Sequence, residues 1–248
     1  MEIRIIFHGN LRQLLPPARS SADTVPYRLE RRASIKDIIE ALGVPHPEIA
    51  ALRVHGREVD FNHIAEAGDL VEVWPLTPPV DVCVATRLRP QPLAAVRFLV
   101  DVNVGKLAAL LRMAGFDTLY QNDWSDIELA IISAREKRIL LTRDRNLLKH
   151  RQVELGHLIR EQNPGRQLIE VVRLYGLEDF LKPFSRCIRC NDLLVPVAKE
   201  AILDRLKPLT RKHYNSFRLC RRCDKVFWPG SHRQHMQSYL EELTKKEL

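Results

Sequence analysis

The sequence contains no apolar run approaching the length that crosses a bilayer, no internal repeat and no low-complexity tract, so a helical membrane span and a repeat array are both excluded. Nothing at its start resembles a signal peptide: Met1-Glu2-Ile3-Arg4 alternates in polarity. A soluble, cytoplasmic protein with no membrane contact is the expectation. Cysteine is scarce, five in 248 residues, and four of the five form two CxxC pairs. In a reducing compartment such pairs bind metal instead of forming disulfides. Cys83 is left over in a proline-rich stretch. Acid is in deficit, 31 Asp and Glu against 39 Lys and Arg, and the resulting net charge of +8 favours anionic partners, nucleic acid being the commonest. Charge alone decides little, since a basic chain can simply be soluble.

The central stretch, 97–151, carries three aspartates in a suggestive arrangement. Phe98-Leu99-Val100 ends in Asp101, and Ile139-Leu140-Leu141-Thr142-Arg143 ends in Asp144. Both runs read as short strands buried on two faces, as in parallel sheets. Val104, Leu107, Ala108 and Leu111 repeat at helical spacing, with Gly115 placed to close the helix. Ile127, Ala130, Ile131 and Ala134 repeat it again, after a capping box of Ser125 and Glu128. With Phe116–Tyr120 as a strand between the helices, the order is β-α-β-α-β. Right-handed crossovers then bring Asp101, Asp126 and Asp144 to one sheet edge, the edge at which open α/β sheets bind ligands. Carboxylates gathered there repel one another unless one is protonated or a cation joins them, and hard oxygen ligands suit Mg²⁺ or Mn²⁺. The alternative is structural: aspartate caps helices and turns, and Arg143 and Arg145 could pair with Asp144.

Val100-Asp101-Val102-Asn103, the helix start Ser125-Asp126-Ile127-Glu128-Leu129 and the run Leu140–Leu148 (LLTRDRNLL) resemble a PIN-domain ribonuclease. They resemble more specifically the C-terminal RNase domain of Mut-seven-type proteins, which Leu110–Asp117 also fits. The resemblance extends through the cysteines to Met236. It implies a PIN-like α/β domain with Asp101, Asp126 and Asp144 as catalytic ligands of Mg²⁺ or Mn²⁺. PIN nucleases usually carry a further acid between the first and third of these elements, and nothing here matches it clearly. Asp117 and Asp123 lie in that interval.

Residues 1–75 read as a separate unit. Ile3, Ile5 and Phe7 alternate with polar residues, Val25–Leu29 can pair with them, and Ser34 caps a helix bearing Ile35, Ile38, Ile39 and Leu42, ended by Gly43. Leu52–Val54 and Val59 flank a His55-Gly56 turn, and Leu70–Trp74 is the last strand. This is a β-grasp order that resembles the ubiquitin-like sulfur carriers of thiamine and molybdopterin synthesis. Those carriers end in a free Gly-Gly carboxylate; here Val73-Trp74-Pro75 runs on into more chain, so carrier chemistry is excluded. A docking surface for a protein partner, a nucleic-acid clamp or a structural appendage remain. Residues 76–95 form a proline-rich linker across which few contacts are expected, with Val80–Ala85 able to dock as a strand.

The nuclease-like unit is expected to span 96–182, with short helices over Asn146–Lys149 and Val153–Glu161 and a further strand over Leu168–Val172. Residues 183–248 then form a zinc ribbon and a closing helix over Gln234–Leu243. Cys187, Cys190, Cys220 and Cys223 complete a tetrahedral, structural Zn²⁺ site, and Lys199–Leu206 between the pairs reads as a helix. Arg189, Arg221 and Arg222, with Arg143 and Arg145 from the nuclease-like unit, are candidate RNA contacts. Tyr214, Phe217, Phe227 and Trp228 are available to stack unpaired bases or to fill the ribbon's core. The preferred reading is a metal-dependent ribonuclease with RNA as its partner. The alternative is a non-catalytic RNA-binding protein or adaptor linked to RNA processing or tRNA modification.

Overall fold

The computed structural model describes residues 1–228 and 230. The alternating N-terminus forms β1 (Glu2–Phe7), with Ile3, Ile5 and Phe7 buried. A 3-10 turn (Gly9–Leu14) and the one-turn helix α1 (Pro17–Ser20) lead to β2 (Val25–Arg28), antiparallel to β1. Ser34 Oγ accepts from Asp37 N and starts α2 (Ile35–Ala41), whose Ile35, Ile38 and Ile39 join the same core. Strands β3 (Ile49–Val54), β4 (Arg57–Val59) and β5 (Leu70–Pro75) complete a sheet of order β2-β1-β5-β3-β4, with β1 and β5 parallel. The expected β-grasp arrangement is present.

A parallel sheet follows. Its chain order is β6 (Phe98–Val100), α3 (Gly105–Ala114), β7 (Thr118–Leu119), α4 (Asp126–Glu136), β8 (Ile139–Thr142), α5 (Arg145–Leu148), β9 (Gly156–Leu158) and α6 (Pro164–Leu174). In space the strands run β7-β6-β8-β9, so β7 is an edge strand of two residues. Gly115 closes α3 at φ +106°, and a Cβ there would lie 2.5 Å from Lys182 O. The chain leaving α6 needs that close approach on its way to the cysteines. Those sit on a three-stranded antiparallel ribbon, β10 (Leu194–Val197), β11 (Phe217–Cys220) and β12 (Lys225–Phe227), with α7 (Pro208–His213) between the first two. No helix among the described residues is long and apolar enough to cross a membrane.

Four elements differ from the sequence expectation. Val153–Glu161 is not a helix; its centre is β9, which pairs with the open side of β8. Gly156 permits this, because a Cβ there would meet Leu148 Cδ2 at 2.6 Å and Leu140 O at 3.1 Å. Leu168–Val172 is not a strand but the body of α6, started by Asn163, whose side chain accepts from Gly165 N and Arg166 N, with Pro164 in the first turn. The cap and the proline override the β-branched propensity. Val80–Ala85 forms no strand; Val80 N donates to Leu174 O (2.7 Å) and Val82 O accepts from Leu93 N (2.9 Å). Lys199–Leu206 is a 3-10 turn, Glu200–Arg205. The expected helix Gln234–Leu243 lies outside the described residues.

The expectation of few contacts across the proline-rich segment is overturned. One buried cluster runs from Ile3, Ile5 and Phe7 into Leu99, Leu140, Leu147, Leu148 and Val153, so the β-grasp core and one face of the parallel sheet are continuous. Arg89 donates from both terminal nitrogens across the junction, to Ile49 O (2.9 Å) and Pro47 O (2.8 Å). Glu48, 4% exposed, accepts at Oε1 from His157 Nδ1 (2.9 Å) and Leu158 N (2.8 Å) and at Oε2 from Arg160 (3.3 Å). His157 Nε2 donates to Glu170 (2.9 Å). Burial opposes the imidazolium, but the two carboxylates outweigh it and push His157 up to about 9. Burial likewise opposes ionisation of Glu48 and Glu170, and the donors facing them hold both below the ordinary carboxylate range.

Two outcomes follow. Glu48→Ala removes the buried carboxylate shared by His157 and Arg160 and is expected to cost about 3–5 kcal/mol in urea unfolding. The His157 contribution is full below 6.5 and lost as pH rises through about 9. Those of Glu48 and Glu170 are full above 4.5 and lost as pH falls through their lowered values. Thermal unfolding against pH is therefore expected to plateau between 4.5 and 6.5 and to decline on both sides, with the alkaline decline much weaker in Glu48→Gln.

Candidate active site

Strands β6 and β8 are adjacent and parallel, so Asp101 and the Thr142–Asp144 turn leave the sheet together. Asp101 N donates to Leu141 O (3.0 Å), continuing the ladder beyond β6. Its carboxylate is 5% exposed and fully engaged: Oδ1 accepts from Val102 N, and Oδ2 from Thr142 Oγ1 (2.6 Å) and from Asn103 Nδ2. Thr142 Oγ1 in turn accepts from Asp144 N (2.9 Å), and Asn103 Oδ1 from Arg143 N (3.1 Å). Thr142 and Asn103 therefore tie the two strand ends into one polar unit. Asp144 Oδ1 caps α5, accepting from Asn146 N (2.6 Å) and Leu147 N (3.3 Å). Asp144 Oδ2 accepts no hydrogen bond among the described residues.

Asp126 opens α4 behind the capping box of Ser125 and Glu128, exposed and in a first turn that favours an anion. Asp101 and Asp144 leave adjacent parallel strands, and Asp126 starts the helix that follows β7. Their carboxylates do not close into a ready-made cage: among the described residues only the four cysteines bring three or more metal-ligating atoms within 4.8 Å of one another. The donor set suits a hard cation that retains several waters, as Mg²⁺ does.

Asp117 is at the opposite end. It precedes β7, its carbonyl accepts from Phe98 N (2.8 Å), and its carboxylate pairs with the buried Arg138 (2.6 Å) and accepts from Asn191 Nδ2 (2.9 Å). Those partners outweigh burial and hold Asp117 below its ordinary pKa, so it serves the packing of the sheet. Asp123 is exposed, in the turn just before α4. Arg143 is exposed beside Asp144, whereas Arg145 donates to Leu14 O of the β-grasp unit (3.0 Å).

The cysteines converge as their spacing predicts. Cys187 Sγ lies 3.6 Å from Cys223 Sγ, and Cys190 Sγ 3.4 Å from Cys220 Sγ. Tetrahedral Zn²⁺ with four thiolates places sulfurs ~3.8 Å apart, so the four could bind zinc with little adjustment. Each knuckle closes with a left-handed residue directly after its second cysteine, Asn191 (φ 68°) and Asp224 (φ 52°), types that tolerate that conformation. The thiols cannot all ionise unaided. Burial raises Cys220, but the N–H groups of Cys223 and Arg222 and the thiols of Cys190 and Cys223 bring it to about 7; burial and the other three thiols push Cys223 up to about 12. Arg112, buried in the last turn of α3, donates to Thr118 O, Ile188 O and Arg189 O, and Asn191 Oδ1 accepts from Thr118 N (3.0 Å). The first knuckle is thus seated on the β7 edge, at the end of the sheet away from Asp101. Arg189, Arg221 and Arg222 are exposed. Phe217 is buried, Tyr214 and Phe227 pack into the ribbon, and Trp228 remains exposed.

The sequence reading named Asn103 but missed Thr142, although a hydroxyl two residues before Asp144 was a usable local signal. Nothing local marked Arg112 or Asn191 as partners of the knuckle. Thr142→Val removes a donor to Asp101 and the acceptor of Asp144 N in a fully buried position. It is expected to cost about 1–3 kcal/mol in denaturant unfolding, since the buried Asp101 carboxylate and the half-buried Asp144 N–H each lose a partner.

Comparison with known proteins places the chain. A family model described as the Mut7-C RNAse domain matches residues 96–240, and one described as the Mut7-C ubiquitin domain matches residues 1–81. No curated protein matches. Among solved structures, a putative molybdopterin converting factor subunit 1 from Pyrococcus furiosus is 20% identical over 30% of this chain and 97% of its own, with a TM-score of 0.25. SAMP1 from Haloferax volcanii is 13% identical over 30% of this chain and 94% of its own, also with a TM-score of 0.25. The parallel sheet with its aspartate edge and the paired cysteine knuckles fall within the first family match, which spans more than half of the sequence: the chain belongs to the Mut7-C RNAse domain family, and carries the Mut7-C ubiquitin domain ahead of it.

Proposed function

We propose that this protein is a metal-dependent ribonuclease, with its nuclease unit over 96–182 and Asp101, Asp126 and Asp144 as the ligands of one or two Mg²⁺ or Mn²⁺ ions. The observation that carries the reading is the pair of adjacent strand ends, Asp101 and Asp144, joined by the Thr142 hydroxyl at the ligand-binding edge of a parallel sheet. When bound, the cations supply an activated water and charge stabilisation at the scissile phosphate. The chain's own residues do the rest. Asn103 and Thr142 hold the Asp101 carboxylate in one orientation. Asp144 keeps Oδ2 available while Oδ1 caps α5. Arg143 grips a phosphate of the RNA beside the edge. On the ribbon, Arg189, Arg221 and Arg222 neutralise further phosphates, and the exposed face of Trp228 stacks a base. Zinc on the four cysteines is structural, with no open position for chemistry.

A non-catalytic RNA-binding adaptor is the second reading. It is favoured by Asp101 and Asp144 each serving as a cap, a role that needs no metal.

Hydrolysis of a labelled single-stranded RNA with Mn²⁺ separates the two. Wild type is expected to turn over only with the metal, and Asp101→Asn to lower kcat by about two orders of magnitude or more while RNA binding persists. Salt-sensitive binding without turnover under any divalent cation sinks the nuclease reading. For the ribbon, metal analysis of purified protein is expected to give one zinc per chain, lost in Cys223→Ser together with faster backbone exchange around β7 and the first knuckle. A zinc-free wild type would refute the zinc assignment.

A further inference from the structure

The β-grasp unit could have been a tethered module, yet its hydrogen bonds to the nuclease unit concentrate on one stretch of chain. Leu14 O accepts from Arg145 Nη1 (3.0 Å), His46 Nε2 donates to Val153 O (2.6 Å), and Glu48 Oε1 accepts from Leu158 N (2.8 Å). These three contacts grip the start, the middle and the end of the segment that leaves Asp144, passes through α5 and returns as β9. Leu147, Leu148 and Val153 within it are fully buried, in the same cluster as Leu14 and Leu15. Asp144 Oδ1 is bonded to Asn146 N and Leu147 N of α5, so the direction of its free Oδ2 follows the placement of that helix. Arg145 is the first residue of α5, next to Asp144.

We infer that the β-grasp unit is a fixed part of the active cleft, setting the orientation of the Asp144 carboxylate through the Arg145–Leu14 hydrogen bond and the leucines packed behind it. Arg145 is thereby a positioning residue that acts through Asp144, and not one of the phosphate contacts. This rests on the nuclease reading above, because it assigns work to Asp144. It also accounts for a β-grasp fold that continues into further chain past Pro75 instead of ending in a reactive carboxylate: the fold is used for its surface, against its own neighbour.

The test uses the full chain. Arg145→Met keeps the aliphatic stem and removes the donor; Arg145→Lys retains one donor and the charge. With single-stranded RNA and Mn²⁺, Arg145→Met is expected to lower kcat by about 10- to 100-fold with KM within about twofold, because a misplaced ligand affects the chemical step more than binding. The Mn²⁺ concentration giving half-maximal rate rises, and Arg145→Lys recovers part of the loss. Hydrogen exchange at the amides of Asn146, Leu147 and Leu148 is expected to quicken in Arg145→Met. A raised KM with unchanged kcat would overturn the inference and make Arg145 an RNA contact; unchanged kinetics and exchange would overturn it as well. If wild type shows no turnover, the nuclease reading fails, and the exchange measurement still decides whether Arg145 holds α5. Should Arg145→Met fail to fold, Arg145→Lys carries the comparison, with kinetics and exchange equal to wild type counting against the inference.

Discussion

A carboxylate buried between two folds holds this molecule together. Glu48 leaves the β-grasp sheet just before β3 and reaches the far edge of the parallel sheet, where it meets an imidazolium, a guanidinium and a backbone N–H. An unpaired charge there would be costly, and the buried Glu48 carboxylate is tolerable because His157, Arg160 and Leu158 N all donate to it from the other side. Glu170 completes the set by accepting from His157 and from Arg160 N and Glu161 N. The apolar contacts around this network are continuous with both cores, so the two folds cannot separate without exposing leucines and stranding ions together.

The parallel sheet is used at both of its ends, and in opposite ways. At one end, the adjacent ends of β6 and β8 carry Asp101, bonded to Thr142 and Asn103, and Asp144, whose Oδ1 caps α5. At the other, Asp117 is fully answered by Arg138, Asn191 and the nearby Arg186, and Arg112 clasps the carbonyls of a cysteine knuckle. The contrast separates an acid held by cations from acids held by caps and neutral donors. It also fixes the ribbon to the parallel-sheet fold through backbone carbonyls, so order in the knuckle and order at the β7 edge are mechanically linked.

Capping reconciles the structural and functional readings of the aspartates. Asp144 gives one oxygen to α5 and keeps the other, and Asp101 is oriented by a threonine and an asparagine that also bind the neighbouring turn. A carboxylate held by a cap is pre-oriented, which reduces the ordering cost of recruiting it to a cation.

Alone, the sequence determined what local chemistry and regular spacing control. Alternation at Ile3, Ile5 and Phe7, the Ser34 cap, the Ser125–Glu128 capping box and the two strand runs ending in Asp101 and Asp144 each encode their own element, and two CxxC turns encode the convergence of four sulfurs. It was ambiguous where local signals compete: Leu155, Leu158 and Ile159 fit a helix until β8 offered an open edge, and the β-branched run 169–172 fits a strand unless the Asn163-Pro164 start is given more weight. Only the tertiary structure decided which acids are answered by cations, because Arg138 lies 21 residues from Asp117 and His157 lies 109 residues from Glu48. It also decided that Arg145 turns away from the edge towards Leu14, 131 residues earlier in the chain. Such pairings arise from the docking of whole elements, and no pattern within a helix or strand specifies them.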